Sequence, residues 1–263
     1  MADQLQIVIR GGGDLGTGVA LRLHRAGFRI VVLEAPQPTA IRLAVAFATA
    51  VCDGSITVEN TTARLMPLDA DLGPIWLRGE IPVVVDPDKA ILKRLQPDAL
   101  IDAIIAKRNA GTRITDAPIV VALGPGFTVG VDCHAVVETN RGHNLGRVYY
   151  SGSAEADTGV PGVIGGQDTR RALYAPSAGT FQTVKKIGDR VNAGEVVGRV
   201  GDAPITSQID GVLRGILRDG LSVRAGMKIA DVDPRGGVSH CFTVSDKSWA
   251  VGGGVLEAVL HLV

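Results

Sequence analysis

Two stretches of the chain hold residue types and spacings suited to chemistry. In the first, Asp132, His134, Glu138, Asn140, Arg141 and His143 crowd into twelve positions. Imidazole titrates near neutral pH, and a guanidinium presents a planar fork to phosphate or carboxylate. If residues 129–139 form a strand, His134, Val136 and Glu138 share one face, an arrangement suited to acid–base work or anion binding. The competing reading is a hydrogen-bonded polar turn beside a half-exposed strand. The second stretch is a glycine loop, Gly11-Gly12-Gly13-Asp14-Leu15-Gly16. Lys107, Arg108 and Asn109, which follow an apolar run, add a possible anion contact, solvated charges at a strand end being the rival. Cys133, His134, His143, His240 and Cys241 are metal-ligand types, but their spacing is irregular and neighbours on a strand point to opposite faces. No metal site is expected. No GxSxG, HExxH or GxxxxGK[ST] occurs, which leaves serine-hydrolase, zincin and P-loop chemistry without support.

The elements that must position these groups begin with a βαβ pattern. Residues 5–9 (LQIVI) read as a buried strand, and the glycine loop follows. Leu15, Val19 and Leu23 then fall four apart on one helical face. Gly27 stands where a left-handed C-terminal cap belongs, and residues 29–33 (RIVVL) read as a second strand ending at Glu34. Gly11, Gly13 and Gly16 match the dinucleotide fingerprint G-x-G-x-x-G, whose glycines permit a tight turn, room for a pyrophosphate and close helix–strand packing. The helix N-terminus offers unpaired N–H groups and partial positive charge. Gly11, Gly12, Gly13, Asp14 and Gly16 are therefore the expected nucleotide-binding residues, and Glu34 the expected acceptor for a ribose hydroxyl. A glycine-rich turn that merely packs helix on sheet is the alternative.

Alternation continues with a helix expected over 40–50 behind Thr39, a short strand at 56–58, a strand at 81–85, a helix at 89–95, an apolar run at 99–106 and a strand at 119–123. Near-continuous apolar strands separated by helices indicate a parallel sheet covered on both faces. Ligands of such sheets lie beyond the strands' carboxyl ends, where residues 11–16, Glu34, Asp86, 107–109 and 124–126 all fall. Beyond residue 128 the texture is β-rich, with strands expected at 129–139 and 147–151. Gly252, Gly253 and Gly254 read as a flexible entry to a last helix, a second phosphate loop being the alternative.

Residues 173–201 and 205–233 repeat at a constant offset of 32: Gly179 with Gly211, Gly188 with Gly220, Val191 with Val223, Ala193-Gly194 with Ala225-Gly226, and Val200 with Val232. A repeat of this kind redefines the fold. Each half resembles half of a biotinyl/lipoyl-type module, the barrel-sandwich hybrid. Carrier members of that family bear a modified lysine on the hairpin joining the halves. Here the hairpin, residues 201–206 (GDAPIT), has none, and Met227-Lys228 lies on the other half. Neither biotin nor lipoyl attachment is expected, and the module is read as one used for packing or docking.

The fold class is thus α/β, with a Rossmann-like, mostly parallel sheet at residues 1–128. A β-rich connection at 129–172, the hybrid module at 173–233 and a closing segment with a helix at 234–263 follow. Glycine, at 34 of 263 residues, is near twice the usual share of about 7%. Lys plus Arg and Asp plus Glu each number 27, and a balanced charge removes the attraction on which non-specific nucleic-acid binding depends. No apolar run approaches the roughly 20 residues of a membrane span, and the N-terminus lacks a signal-peptide pattern. Three widely spaced cysteines point to a reducing, cytoplasmic compartment. No nucleic-acid or membrane partner is expected; homo-oligomerisation is left open.

The segments IRGGGDLGTGVA, DAIIAKRN, LGPGF, VDCHAVVETNRGHNLG, DTGVPG, DVDPRG and SDKSWAVGGGVLEA resemble, along nearly the whole chain, the YqeB-type proteins of the selenium-dependent molybdenum hydroxylase system. The resemblance implies an accessory role in maturing a hydroxylase of the xanthine dehydrogenase type, with that apoenzyme or other maturation proteins as partners. The matching motifs point to residues 11–16, Lys107, Asn109, His134, Asn140, Arg141 and His143. The bound group would be a nucleotide or dinucleotide, either NAD(P) or a molybdopterin dinucleotide, because a glycine loop accepts the pyrophosphate of each. An NAD(P)-dependent oxidoreductase and a non-catalytic docking scaffold are the alternatives.

Overall fold

The computed structural model describes residues 5–160, 162–167 and 169–263. They fall into two compact units, one comprising the described residues up to Pro38, Ala46–Thr158 and Val244–Val263, the other Thr39–Val45 and Gly159–Thr243. The fold is mixed α/β: a large, mostly parallel sheet in the first unit and antiparallel sheets in the second. Among the described residues no helix is long and apolar enough to cross a membrane.

The first unit is built on β1 (Gln6–Arg10), β2 (Arg29–Glu34), β3 (Ser55–Val58), β4 (Thr61–Met66), β5 (Ile81–Val85), β6 (Ala99–Asp102), β7 (Ile119–Leu123), β8 (Ala135–Val137) and β9 (Val148–Tyr149). Their order is β3-β4-β5-β2-β1-β6-β7-β8-β9. From β4 to β8 every neighbour pair is parallel; β3 and β9 add antiparallel edges. Strands β2 to β5 lie on one side of β1, with β5 inserted between β2 and β4, and β6 to β9 follow in order on the other, so the crevice of this open sheet lies beyond the carboxyl ends of β1 and β6. Ile7, Val8, Ile9, Val31, Val32, Leu100 and Val121 are fully buried, as a sheet covered on both faces requires.

Helix α1 (Asp14–Arg25) begins at Gly13, in extended conformation, with Asp14 in its first turn and Arg22, His24 and Arg25 in its last. These charges suit the helix dipole at both ends. Gly27 follows the C-cap Ala26 at φ +95°. Helix α5 (Asp246–Leu262) lies on α1. Gly252, Gly253 and Gly254 sit inside α5 rather than before it. A Cβ on Gly252 would stand 3.0 Å from the Gly18 carbonyl, and one on Gly18 2.6 Å from Ser248 Cβ. The glycines let two backbones approach instead of loosening a helix entry.

Several expected elements differ. No helix spans 40–50: residues 39–45 belong to the second unit, where the Ile216 N–H bonds the Ile41 carbonyl. The chain then makes short turns at Leu43–Val45 and Phe47–Thr49 and one helical turn, α2 (Ala50–Asp53). The Phe47 and Ala48 amides are taken by Thr17 Oγ1 and the Gly12 carbonyl, each at 2.8 Å, so tertiary acceptors outcompete a helical ladder. After α3 (Gly73–Leu77), the helix expected at 89–95 shrinks to α4 (Leu92–Leu95), because Asp86 accepts the Ala90 and Ile91 amides. The run at 99–106 is strand only to Asp102, and the strand expected at 129–139 only over β8. The division near residue 128 moves to 158, since β8 and β9 complete the large sheet. The stretch 234–263 divides at 243/244 between the units.

In the second unit, β10 (Ala172–Tyr174), β12 (Arg190–Val191), β15 (Gly211–Ile216) and β17 (Lys228–Asp233) form one antiparallel sheet in the order β10-β17-β15-β12. Strands β11 (Gly179–Thr183), β13 (Val196–Val200), β14 (Ala203–Thr206) and β16 (Ser222–Val223) form the other, in the order β14-β13-β11-β16. Moving each strand by 32 positions carries one order onto the other. Each sheet takes two strands from each repeat, and Phe181, Leu213, Ile229 and Val232 fill the shared core.

Candidate functional site

The carboxyl end of the large sheet is where the expected residues converge. The glycine loop turns from β1 into α1. Gly11 has φ +96°, and an added Cβ would stand 2.8 Å from the Ala103 carbonyl; one on Gly16 would stand 1.9 Å from the Gly11 carbonyl. Both glycines are demanded by close approach. Gly13 differs, for its Cβ would meet nothing within 4 Å. The Gly11 N–H bonds the Leu33 carbonyl at 2.8 Å, and the Gly12 N–H bonds Glu34 Oε2 at 2.8 Å. Among the described residues the N–H groups of Gly13, Leu15 and Gly16 meet no acceptor. They are the orphan donors of a helix start.

Glu34 does not stand free for a ribose. Oε2 takes Gly12 and Oε1 takes the Ala35 amide at 2.8 Å. Burial pushes its carboxyl above the usual range, against the pull of those two amides. Glu34 therefore braces the loop, and Gly12 is turned away from any diphosphate.

Beside the loop runs the segment after β6, with Ile105 at φ +58° and Lys107 at φ +60°, conformations that side chains with a Cβ rarely hold. A buried network anchors it. Thr112 Oγ1 accepts from Arg10 Nη1 at 2.5 Å and donates to Asp102 Oδ2 at 2.5 Å, and Arg10 also reaches the Ala110 carbonyl. Asn109 is spent inside this loop: its Oδ1 accepts the Gly111 and Thr112 amides, and its Nδ2 donates to the Thr112 carbonyl and to Asp132. Lys107 reaches out to an exposed ion pair with Asp157 at 2.9 Å.

The His134–Arg141–His143 stretch separates. His134 Nδ1 accepts the Val120 amide at 2.9 Å, a bond that fixes the ring to β7. Buried Glu138 accepts the Asn140 and Glu155 amides at 2.7 and 2.8 Å. No hydrogen bond joins His134 to Glu138 among the described residues. His143 is exposed, and Asn140 donates to Glu155. Arg141 forks onto Asp246 at the start of α5, with two bonds of 2.8 Å.

That contact leads to a residue the sequence patterns do not single out. Ser245 caps α5 by accepting the Ser248 amide, and Ser248 Oγ donates to Asp14 Oδ1 at 2.9 Å. The first turn of α5 is thereby tied to the first turn of α1, and it carries Lys247. Burial holds the Lys247 ammonium below the usual lysine range; Arg141 and Lys107 act the same way, Asp14 and Glu138 against it. Lys247 has no hydrogen-bond or ion-pair partner among the described residues. One signal was readable: a lysine just after a serine cap opposes the positive end of its own helix. Trp249, two residues on, lies 4.8 Å from each of the Arg22 and Arg25 guanidinium carbons.

Among the described residues no group of three or more His, Cys, Asp or Glu is placed to hold a metal. Burial pushes the Cys133 thiol up to about 12, with Asp132 adding to it, and raises Cys241 as well. What the site can do chemically is hold an anion. Helical amides, a glycine at the helix cap and the side chains of Lys247, Lys107 and Arg141 share one end of the sheet.

No family model matches the sequence. The chain is 53% identical over 257 residues, 98% of its length, to the uncharacterized protein YqeB of Escherichia coli, and spans about half (48%) of that relative. Among solved structures, an aspartoacylase family protein from Mesorhizobium loti aligns with 88% of this chain and 85% of its own, at 14% identity and a TM-score of 0.29. A succinylglutamate desuccinylase/aspartoacylase from Rhodobacter sphaeroides aligns with 25% of this chain and 22% of its own, at 26% identity and a TM-score of 0.22. Likenesses this slight carry no argument about fold or chemistry.

Proposed function

We propose that the chain binds a nucleotide or a dinucleotide-bearing molybdopterin through its diphosphate at the mouth of α1. In this reading it serves as an accessory factor in maturing a selenium-dependent molybdenum hydroxylase of the xanthine dehydrogenase type. The observation that carries the binding half is the set of unengaged Gly13, Leu15 and Gly16 amides at the carboxyl end of a parallel sheet, with an unpaired lysine alongside. An anion there satisfies orphan donors and meets the helix dipole. The maturation half rests on the motif resemblance along the chain and is supported by 53% identity to YqeB, whose own role is uncharacterized.

The large sheet is read as Rossmann-like and the second unit as a barrel-sandwich hybrid. The reading is supported by the switch in strand order at β1 and by the 32-residue exchange of sheet orders. With no lysine at 201–206, the second unit is assigned to docking the apoenzyme or another maturation protein.

The test is to express such a hydroxylase with and without this protein and to measure its molybdenum, selenium and pterin content. The expected result is a folded hydroxylase that lacks cofactor or selenium when the protein is absent. A fully loaded hydroxylase in its absence overturns the maturation half. Binding of NAD(P)H followed by hydride transfer to an acceptor would replace that half with an oxidoreductase.

A further inference from the structure

Residues 39–48 carry an inference that goes beyond the binding reading and does not depend on what the glycine loop holds. We propose that this stretch is a conformational relay: its first part is seated in the second unit, its last part clamps the glycine loop, and a displacement at either end is felt at the other.

The first end is fixed inside the second unit. Ile41 packs against that unit's core, and its carbonyl accepts the Ile216 amide at 2.7 Å. Arg42 donates to the His240 and Thr243 carbonyls at 2.9 and 3.0 Å. Strand β15 passes so close that a Cβ on Gly215 would stand 3.0 Å from the Ile41 carbonyl oxygen and 3.2 Å from Arg42 Cγ. The last end is fixed to the glycine loop of the first unit. The Phe47 N–H donates to Thr17 Oγ1 at 2.8 Å, and Thr17 Oγ1 donates to the Gly12 carbonyl at 3.0 Å. The Ala48 N–H bonds that same carbonyl at 2.8 Å, which closes a ring. A Cβ on Gly12 would stand 2.8 Å from the Ala48 nitrogen, so no gap separates stretch and loop. Glu34 holds the Gly12 N–H from the other side, and the position of the Gly12 carbonyl is left to Thr17 and Ala48. A linker crosses once between units. This stretch leaves the first unit after Pro38 and re-enters it at Ala46, directly onto the loop. Between the two ends lies one residue, Ala46, extended at φ −120°, ψ 117°, and extended backbone has no slack to give. Val45, Ala46 and Phe47 are fully buried, and a close-packed interior passes strain on instead of absorbing it.

The test is amide hydrogen exchange, resolved by NMR, on the full chain as wild type, Gly215→Val, Thr17→Val and Val197→Ala. Gly215→Val crowds Ile41 and Arg42 within the second unit. It is expected to speed exchange of the Phe47 and Ala48 amides by about fivefold or more, the lower bound of a typical coupling between sites. Coupling is reciprocal. Thr17→Val removes the Phe47 acceptor and is expected to speed exchange of the Ile216 amide by a similar factor. Val197→Ala loosens the second unit's core from its other sheet and should leave Phe47 and Ala48 within about twofold of wild type, as for independent sites. Unchanged exchange at Phe47 and Ala48 in Gly215→Val, or at Ile216 in Thr17→Val, would overturn the relay. An equal rise in Val197→Ala would overturn it too, because the loop would then follow the stability of the whole second unit and not the seating of residues 39–45. If Gly215→Val does not fold, Gly215→Ala takes its place beside Thr17→Val. Each outcome is read without ligand, so failure of the relay and failure of diphosphate binding are separate results.

Discussion

Replacing Gly13 with Asp separates fold from ligand, because the two effects have opposite signs. Gly13 caps α1 at φ −68°, ψ −171°, a conformation open to any residue, with no side-chain cap and no atom near an added Cβ. An aspartate there gains a cap bond to the second or third helical amide, worth a few tenths of a kcal/mol over glycine, and repulsion from adjacent Asp14 takes back part of this. At about 2–4 °C per kcal/mol for a unit of this size, the melting temperature rises by at most about 1 °C. A diphosphate at the same amides meets the new carboxylate at about 4 Å. That is about 4 kcal/mol of repulsion at an effective dielectric of 20, and about 2 kcal/mol, or thirtyfold in Kd, after screening by solvent and salt. Thermal melting by circular dichroism and titration with ADP read the two effects on one sample. A variant that melts no lower than wild type and binds ADP with unchanged affinity would refute the placement of the diphosphate at Gly13.

Four other perturbations follow from the same geometry. Gly16→Ala drives a Cβ to within 1.9 Å of the Gly11 carbonyl, and the shift of α1 outweighs the propensity gain of alanine; urea unfolding should show a loss of about 1–3 kcal/mol. Lys247→Met should be more stable than wild type at pH 7. A lysine whose folded pKa is lowered penalises the folded state below that pKa, and the penalty fades as pH rises through it toward the ordinary lysine value of 10.5, so the difference should shrink as the pH is raised into the alkaline range. Of the three free cysteines only Cys52 is exposed, and iodoacetamide at pH 8 should add one label to the native protein and three in denaturant. Rapid native labelling of Cys133 would contradict the burial that raises its thiol to about 12. Thr112→Val removes the hydroxyl that bridges buried Arg10 and Asp102 while their direct pair at 3.3 Å remains, and should cost about 1–3 kcal/mol, with faster amide exchange across residues 103–112.

The parts of this molecule readable from sequence are those set by local or strictly periodic signals. LQIVI, the three spaced glycines, Gly27 and RIVVL specify strand, turn, helix, cap and strand from neighbours alone, and the structure reproduces that order. The 32-residue offset was readable because no insertion breaks it, and it reappears as two sheets with exchangeable strand orders. Where the sequence misled, a distant group had taken over. The apolar run at 46–50 has a helix-like composition, but Thr17 and the Gly12 carbonyl capture its amides. Glu34 sits at the strand end where a ribose acceptor belongs, yet the loop consumes its carboxylate. His134 and Glu138 share a spacing but not a partner. Lys247 lies more than 200 residues beyond the glycine loop, and only the docking of α5 on α1 brings it there; its one local trace was a positive charge at the wrong end of a helix.

The open amides of α1 are proposed to hold a diphosphate. Native mass spectrometry of gently purified protein, followed by addition of ADP or NAD, tests it most directly. The expected result is a retained mass equal to a diphosphate-bearing nucleotide or pterin dinucleotide, or stoichiometric uptake of an added one, lost in Gly13→Asp. A bare polypeptide mass that takes up none of these ligands would contradict it.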